Sequence, residues 1–175
     1  GALVNYARET QKNSLPHIQS LKVEQLNDSV ILDAATRRNL EIDSNLSGGK
    51  GNTLFSVLNS TVTAMGGRLL ARWLHRPLRD QGLLRTRQLI TTSLIDNYHY
   101  EAVSAVLGSI GDLERILGRL GLRSARPRDL SVMRDSLGLL PALQTQLAQI
   151  ESPPLSSMAQ QIGEFAEEAQ LLQLA

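Results

Sequence analysis

The sequence predicts a mainly α-helical protein, a multi-helix core with a short two-stranded β element near the N-terminus. Three observations predict this fold class. The chain is rich in leucine, only 3% of its residues are aromatic, and β-branched runs are few, which favours helix over sheet. Apolar residues recur at helical spacing through most of residues 53–175. Prolines and short polar clusters separate these segments, as is typical of helix ends.

The predicted domain organisation is one domain over residues 1–175, because this length suits one core and is short for two. Within it, residues 1–52 would hold an N-terminal helix, the β element and a glycine loop, and residues 53–175 the helical bundle. Both ends of the chain fall inside apparent helices without a cap. We therefore expect a domain truncated at both ends and belonging to a longer protein.

The β element is predicted from residues 20–33, SLKVEQLNDSVILD, which follow a first helix over residues 1–12. Leu21 and Val23 alternate with polar residues, an Asn-Asp pair offers a turn, and residues 30–32 form a short apolar run. Alternation followed by a turn and a second apolar run indicates two short strands.

An arginine pair dominates the next segment, LDAATRRNLEI, where Asp33 is placed to cap a helix. In a helix that continues to the end of this segment, Arg37 and Arg38 lie four and three residues before Glu41, so each can reach its carboxylate. We expect these residues to serve structural or inter-domain contacts, since the planar guanidinium group of arginine suits such contacts.

The glycine loop SGGKGNT resembles a phosphate-binding loop but lacks its requirements. The pattern G-x-x-x-x-G-K-[ST] needs glycine where Ser44 stands, and serine or threonine where Gly51 follows Lys50. The loop also follows a predicted helix instead of a buried strand. A nucleotide site is therefore excluded at this position.

Helix boundaries in residues 53–175 are predicted from capping residues and prolines. A short helix, LFSVL, follows Thr53; a longer helix starts at Thr61 or Thr63 and ends at Pro77; Asp80 caps the next. Further helices are predicted in EAVSAVLGSI, in DLERILGRLGL, from Pro127 to about Gln149 with an interruption at Pro141, and after the Ser152-Pro-Pro break.

The helix that ends at Pro77 has an apolar side containing Trp73, which we expect to form the rigid core with the leucines around it. Arginines recur every four residues on two predicted helices. Residues 60–130 carry eleven arginines against six carboxylates. The two candidate basic faces are Arg68, Arg72 and Arg76, and Arg115, Arg119 and Arg123. They could line up with DNA phosphates, so a helical module that binds the DNA backbone is the alternative function.

Several classes of site find no support. The chain has no cysteine, which excludes disulfides and thiolate zinc sites. Its three histidines are far apart and make no catalytic or metal-ligand pattern with carboxylates. No apolar run approaches the roughly 18 residues of a transmembrane helix, and the start is unlike a signal peptide. We expect no enzyme activity, metal or cofactor in this chain.

Four blocks together carry a resemblance: LDAATRRNLEI (32–42), TLFSVLNSTVTAMGGRLLARWLHRPL (53–78), GDLERILGRLGLRSARPRDL (111–130) and LGLLPAL (137–143). In this order and spacing they resemble the core or lever domain of the bacterial DNA mismatch repair protein MutS. The resemblance covers nearly the whole chain, from YARETQ to GEFAE.

The resemblance implies a helical lever in a protein that binds mispaired double-stranded DNA as a dimer. It implies ATP and magnesium in a separate domain of the full-length protein, a DNA-dependent ATPase, and a MutL-type partner. It also implies a location in the bacterial cytoplasm, at the nucleoid during repair. The Walker loop and the mispair-reading domain are missing from this sequence. Phe165-Ala166-Glu167 matches that domain's Phe-x-Glu motif in letters only, because it corresponds to core sequence. The implied role is a non-catalytic coupling of the DNA clamp to the ATPase domain.

Overall fold

The computed structural model describes residues 2–11 and 28–174, and helices make up most of this part of the chain. The prediction of a mainly helical fold is confirmed. A 3-10 turn at Asp96–Tyr98 separates α5 from α6. The helices are α1 (Ala2–Gln11), α2 (Ala34–Asn39), α3 (Leu54–Leu58), α4 (Ala64–His75), α5 (Gln81–Ile95), α6 (His99–Gly108), α7 (Leu113–Gly121), α8 (Pro127–Gly138), α9 (Leu140–Ala148), α10 (Pro153–Gln161) and α11 (Ala166–Leu174).

The predicted two-stranded β element is not supported. Its first strand falls within residues 12–27, outside the described residues, and the second, beginning at Val30, is not a strand. Ser29 instead forms an isolated antiparallel bridge with Leu78, and the Val30 N–H donates to Pro77 O at 2.8 Å. The apolar run therefore pairs with the segment that follows α4, where Pro77 cannot continue the helix.

Most predicted helix starts are confirmed by their caps. The Asp33 side chain accepts the Thr36 N–H at 2.6 Å, and Thr63 accepts the Gly66 N–H at 3.0 Å. Thr53, Asp80 and Asp112 cap α3, α5 and α7 in the same way. These bonds satisfy N–H groups that have no partner inside the first helical turn.

The expected interruption at Pro141 is also confirmed. One helix ends at Gly138 and the next begins at Leu140, with Pro141 in its first turn. Proline lacks an N–H and its ring clashes with the carbonyl four residues earlier, so a continuous helix is disfavoured. In the first turn of α9 the missing N–H costs no hydrogen bond.

Helix α2 is shorter than the sequence predicts, because it ends at Asn39. Glu41 adopts a left-handed conformation with φ of 47°, which turns the chain out of the helix. The turn brings Ile42 inward to 2% exposure, and the Phe55 N–H donates to Ile42 O at 2.8 Å. Burial of Ile42 and its link to α3 therefore replace the last turn of the predicted helix.

The main hydrophobic core lies between α5, α6, α9 and α10. Its centre is Leu155, which is 1% exposed and belongs to α10. Burying a leucine side chain of this kind contributes roughly 1.5–3 kcal/mol. The other buried members of this cluster are Val103, Leu147, Ile150 and Ala159, and the partly buried side chains packed against it are Ile90, Leu94, Leu107, Leu143 and Ile162.

Trp73 does not belong to this core, so the prediction that it anchors the rigid core is wrong. The residue is 40% exposed, and the Arg87 guanidinium carbon lies 3.6 Å from its ring centroid. Leu69, on the same helix, is also 40% exposed. The apolar side of α4 is thus only partly covered by the described residues.

Several large apolar side chains of the described residues are exposed. Val57 and Leu58 of α3 are 74% and 49% exposed. Such faces are typical of surfaces that contact another domain or subunit.

Within the described residues, no helix has both the length and the apolar character needed to cross a membrane.

Candidate functional site

Arg68 on α4 binds two carboxylates at the start of α7. Its Nη1 and Nη2 donate to the Asp112 carboxylate oxygens at 2.9 and 2.6 Å. Its Nε and Nη2 also donate to Glu114 Oε2 at 2.9 and 2.7 Å. Charge-assisted, two-pronged bonds of this kind fix the relative orientation of the groups they join. They connect positions 44 and 46 residues apart in the sequence, so they fasten α4 to α7.

The charges in this contact reinforce one another. The hydrogen bonds from Arg68 hold the pKa of Asp112 below its ordinary value of 3.8, and the Arg115 backbone N–H lowers it further. The bonds from Asp112 and Glu114 in turn raise the pKa of Arg68. The Asp112 side chain is 22% exposed and also caps α7. The Asp112 carboxylate therefore caps the N-terminus of α7 and also binds Arg68 of α4.

A second ion pair joins α7 to α8. Arg119 Nη1 donates to Asp129 Oδ1 at 2.6 Å, and the Arg126 N–H donates to Asp129 Oδ2 at 3.0 Å. The pKa of Asp129 is lowered, first by the Arg126 backbone N–H and then by Arg119. Because the Asp129 side chain is only 14% exposed, this pair is better shielded from water than the Arg68 contact.

The two predicted basic faces are therefore not continuous rows of free arginines. Arg68 and Arg119 are neutralised by carboxylates on other helices. Arg123 lies beyond the end of α7 with φ of 54°, so it departs from the helical spacing that predicted the second face. The remaining members of the two faces, Arg72, Arg76 and Arg115, are exposed.

Arg37 and Arg38 do not pair with Glu41, contrary to the expectation from the sequence. The Glu41 carboxylate accepts the Leu46 N–H at 2.7 Å instead, because the helix ends before Glu41 and the side chain turns towards the next loop. Both arginines are exposed, and neither side chain makes an ion pair or hydrogen bond with another residue of the described ranges.

The two arginines share a surface pocket that the sequence did not predict. The pocket has a volume of about 400 Å³, and its lining includes His75 from the end of α4 and the loop from Asp43 to Gly48. His75 Nε2 lies 3.1 Å from Asp43 Oδ2. His75 Nδ1 is buried and has no hydrogen-bond partner in the part of the chain that the structure describes. Residues 32 positions apart thus meet here.

The glycine loop forms one wall of this pocket and holds its own shape. The Gly49 N–H donates to Asn45 Oδ1 at 2.7 Å, and Asn45 Nδ2 donates to Gly51 O at 3.1 Å. Among the described residues, no group of three or more histidine, cysteine, aspartate or glutamate side chains is placed to hold a metal ion.

A helical core whose helices are tied by arginine–carboxylate contacts defines a structural domain, and the comparison with known families agrees. Residues 35–174 match the family described as MutS domain III, which is about four fifths of the chain. The chain therefore belongs to the MutS domain III family, a core domain of DNA mismatch repair proteins. The resemblance drawn from the four sequence blocks is confirmed.

Proposed function

We propose that this domain is the non-catalytic lever of a mismatch repair protein and couples its DNA clamp to its ATPase domain. The observation that carries the proposal is the Arg68 contact with Asp112 and Glu114, which fastens α4 to the start of α7. Together with the Arg119–Asp129 pair, it links three helices into one unit. A unit of this kind moves as a body, so a change at one end is passed to the other.

The exposed apolar faces support the same proposal. Apolar side chains of α3 such as Val57 are exposed to solvent. A neighbouring domain that covered them would bury apolar surface, which stabilises the contact. For the whole protein, the proposal includes binding of mispaired double-stranded DNA and of ATP with magnesium. It also includes association with a second MutS subunit and with a MutL-type partner. In it, Arg37 and Arg38 contact a neighbouring domain.

Direct binding of the DNA backbone through the arginine faces is the competing function. It needs rows of unpaired cations that follow the phosphates. Arg68 and Arg119 are already bonded to carboxylates, so a phosphate would have to displace them. For stacking on single strands, α7 offers no aromatic side chain, and one face of Trp73 on α4 is covered by Arg87. These features favour the lever.

Fluorescence anisotropy of a labelled mismatched duplex separates the two functions. We expect no binding by the 175-residue chain at micromolar concentration and low salt, because ion pairs of Arg68 and Arg119 interrupt the two rows of cations that would follow the phosphates. Salt-sensitive binding that is lost in the Arg72→Gln/Arg115→Gln variant would establish the competing function. A full-length MutS protein serves as the positive control for the duplex.

A further inference from the structure

We propose that the pocket bordered by Arg37, Arg38 and His75 binds an oxyanion, either a carboxylate or a phosphate group. The inference concerns the chemistry of the pocket alone and stands whether or not the domain couples ATP to DNA. It begins from two arginines that line one surface pocket of about 400 Å³. Each guanidinium offers five N–H donors in a planar fork that matches the oxygens of a carboxylate or phosphate.

The carboxylates nearest in sequence to the arginines are engaged elsewhere. Asp33 caps α2 through the Thr36 N–H, and Glu41 accepts the Leu46 N–H. Asp43, which lines the pocket, lies 3.1 Å from His75 Nε2. The charge of Arg37 helps to lower the pKa of Asp33, but the two make no hydrogen bond or ion pair. As far as the described residues are concerned, the donors of the arginine pair are therefore available to a ligand.

Charge in the pocket favours an anion. Two permanent cations, Arg37 and Arg38, face one carboxylate, Asp43, so the lining carries a net positive charge even when His75 is neutral. Two like charges at one pocket repel each other in the absence of a counterion. An oxyanion bound in the pocket reduces this repulsion and gains charge-assisted hydrogen bonds from the arginines.

The mode of recognition differs from that of a phosphate-binding loop. Such a loop presents free backbone N–H groups to the phosphate. Here the N–H groups of Asn45, Leu46, Gly48 and Gly49 donate within the chain, to Gly49 O, Glu41 Oε1, Asn45 O and Asn45 Oδ1 respectively. The loop therefore shapes the wall, and the arginine side chains supply the donors. Recognition by side chains and not by backbone N–H groups points to a single oxyanion group as the ligand, and not to a nucleoside triphosphate.

The test is an NMR titration of the 175-residue chain with inorganic phosphate and, separately, with sodium acetate, at constant ionic strength set by chloride. The Nε–Hε resonances of Arg37 and Arg38 report binding. We expect saturable shifts of both with at least one anion. Saturation by phosphate alone would assign a tetrahedral group, and saturation by acetate alone a carboxylate. Shifts that do not saturate with either anion would overturn the proposal.

A matched pair of variants distinguishes the pocket from general charge. Arg37→Gln/Arg38→Gln removes two charges from the pocket, and Arg85→Gln/Arg128→Gln removes two exposed charges elsewhere. Amide resonances of Asn45 and Gly48 measure the affinity in both. We expect the first variant to bind about tenfold more weakly or worse, and the control to change by less than about twofold. Equal weakening in the two variants, with circular dichroism showing both folded, would overturn the proposal.

Discussion

Arg68 shows how one side chain can decide the relation between two helices. Its guanidinium meets Asp112 with two parallel bonds and still reaches Glu114. An exposed ion pair between flexible side chains contributes little to stability. This contact differs because one partner, Asp112, is held in place as the cap of α7 and needs no further ordering. The contact therefore specifies an orientation more than it adds stability.

The lowered pKa of Asp112 makes a prediction about pH. Its folded pKa lies below the ordinary 3.8, so the folded state binds fewer protons than the unfolded state between the two values. The stabilisation from the Arg68 contact is thus complete above about pH 5 and is lost as the pH falls through the folded pKa. We expect Arg68→Gln to lower the urea midpoint at pH 7, and the difference from the parent to shrink below pH 3.8.

Arg85→Gln is the control for this pH series, because Arg85 is exposed and lies on α5. Its urea midpoint should follow that of the parent chain at every pH. A gap between Arg68→Gln and the parent that stays constant down to pH 3 would contradict the assignment.

At the residue scale, the sequence predicted the interactions between residues that are close in the chain. The caps at Asp33 and Thr63 were predictable because donor and acceptor lie three residues apart. The partner of Arg68 was not, since Asp112 is 44 residues away and only the fold brings it near. Trp73 was assigned to the core because helical periodicity identifies an apolar face, but periodicity does not reveal whether another element covers that face.

At the scale of elements, the contact between the segment before α7 and helix α8 depends on a glycine. Gly111 lies just before α7, and its N–H donates to Ser136 Oγ at 2.9 Å. A Cβ at this position would overlap Val132 Cγ1 of α8 and lie 3.4 Å from Ser136 Oγ. Ser136 is 1% exposed, so the neighbouring atoms have little room to move. The absence of a side chain at Gly111 therefore allows the two segments to touch.

This contact predicts opposite effects at two glycines of the same region. Gly111→Ala should destabilise the chain by about 1–3 kcal/mol, because the added methyl group forces Val132 or the backbone to shift. Gly118→Ala should stabilise it by about 0.5–1 kcal/mol, since Gly118 lies inside α7 with open space around its Cβ position. Urea denaturation followed by circular dichroism measures both.

A second substitution checks the cause. Val132→Ala makes room for the new methyl group, so it should restore part of the stability of the Gly111→Ala chain although it is destabilising by itself. Equal changes in stability at Gly111 and Gly118, or no recovery from Val132→Ala, would contradict the role of the contact with α8.

Elements were predicted well where they are defined by their own residues and poorly where they depend on a partner. The interruption at Pro141 follows from proline itself. The predicted β element was not supported, because an apolar run of three residues does not specify which segment it pairs with. In the structure the pairing is with the segment at Leu78. The length of α2 was overestimated for a similar reason: burial of Ile42 ends the helix early.

At the scale of the whole molecule, two parts of the described chain are packed differently. The core around Leu155 joins α5, α6, α9 and α10 by apolar contacts. The region of α2, α3 and α4 buries few side chains, chiefly Ile42 and Thr53. Its contacts with the rest include Arg68 with Asp112 and Glu114, and Trp73 with Arg87 of α5. Directional bonds such as those of Arg68 fix the orientation of this part although it has little apolar core of its own, which suits a lever that moves as one body.

The pocket at Arg37 and Arg38 belongs to this weakly buried part. It draws on α2, the glycine loop and the end of α4, three segments that no pattern in the sequence connects. The sequence did indicate that both arginines were candidates for a contact. It could not indicate that neither arginine pairs with Glu41. The left-handed backbone at Glu41 directs that carboxylate to the Leu46 N–H instead.

The most direct measurement is the ATP-dependent release of a mismatched duplex by a full-length MutS protein that carries this domain, with and without Arg68→Gln. If the Arg68 contact keeps the lever rigid, the variant should retain mismatch affinity without nucleotide and basal ATP hydrolysis, while ATP accelerates duplex release less than in the parent. Arg85→Gln should behave like the parent. Release that ATP accelerates equally in parent and Arg68→Gln protein would contradict the account.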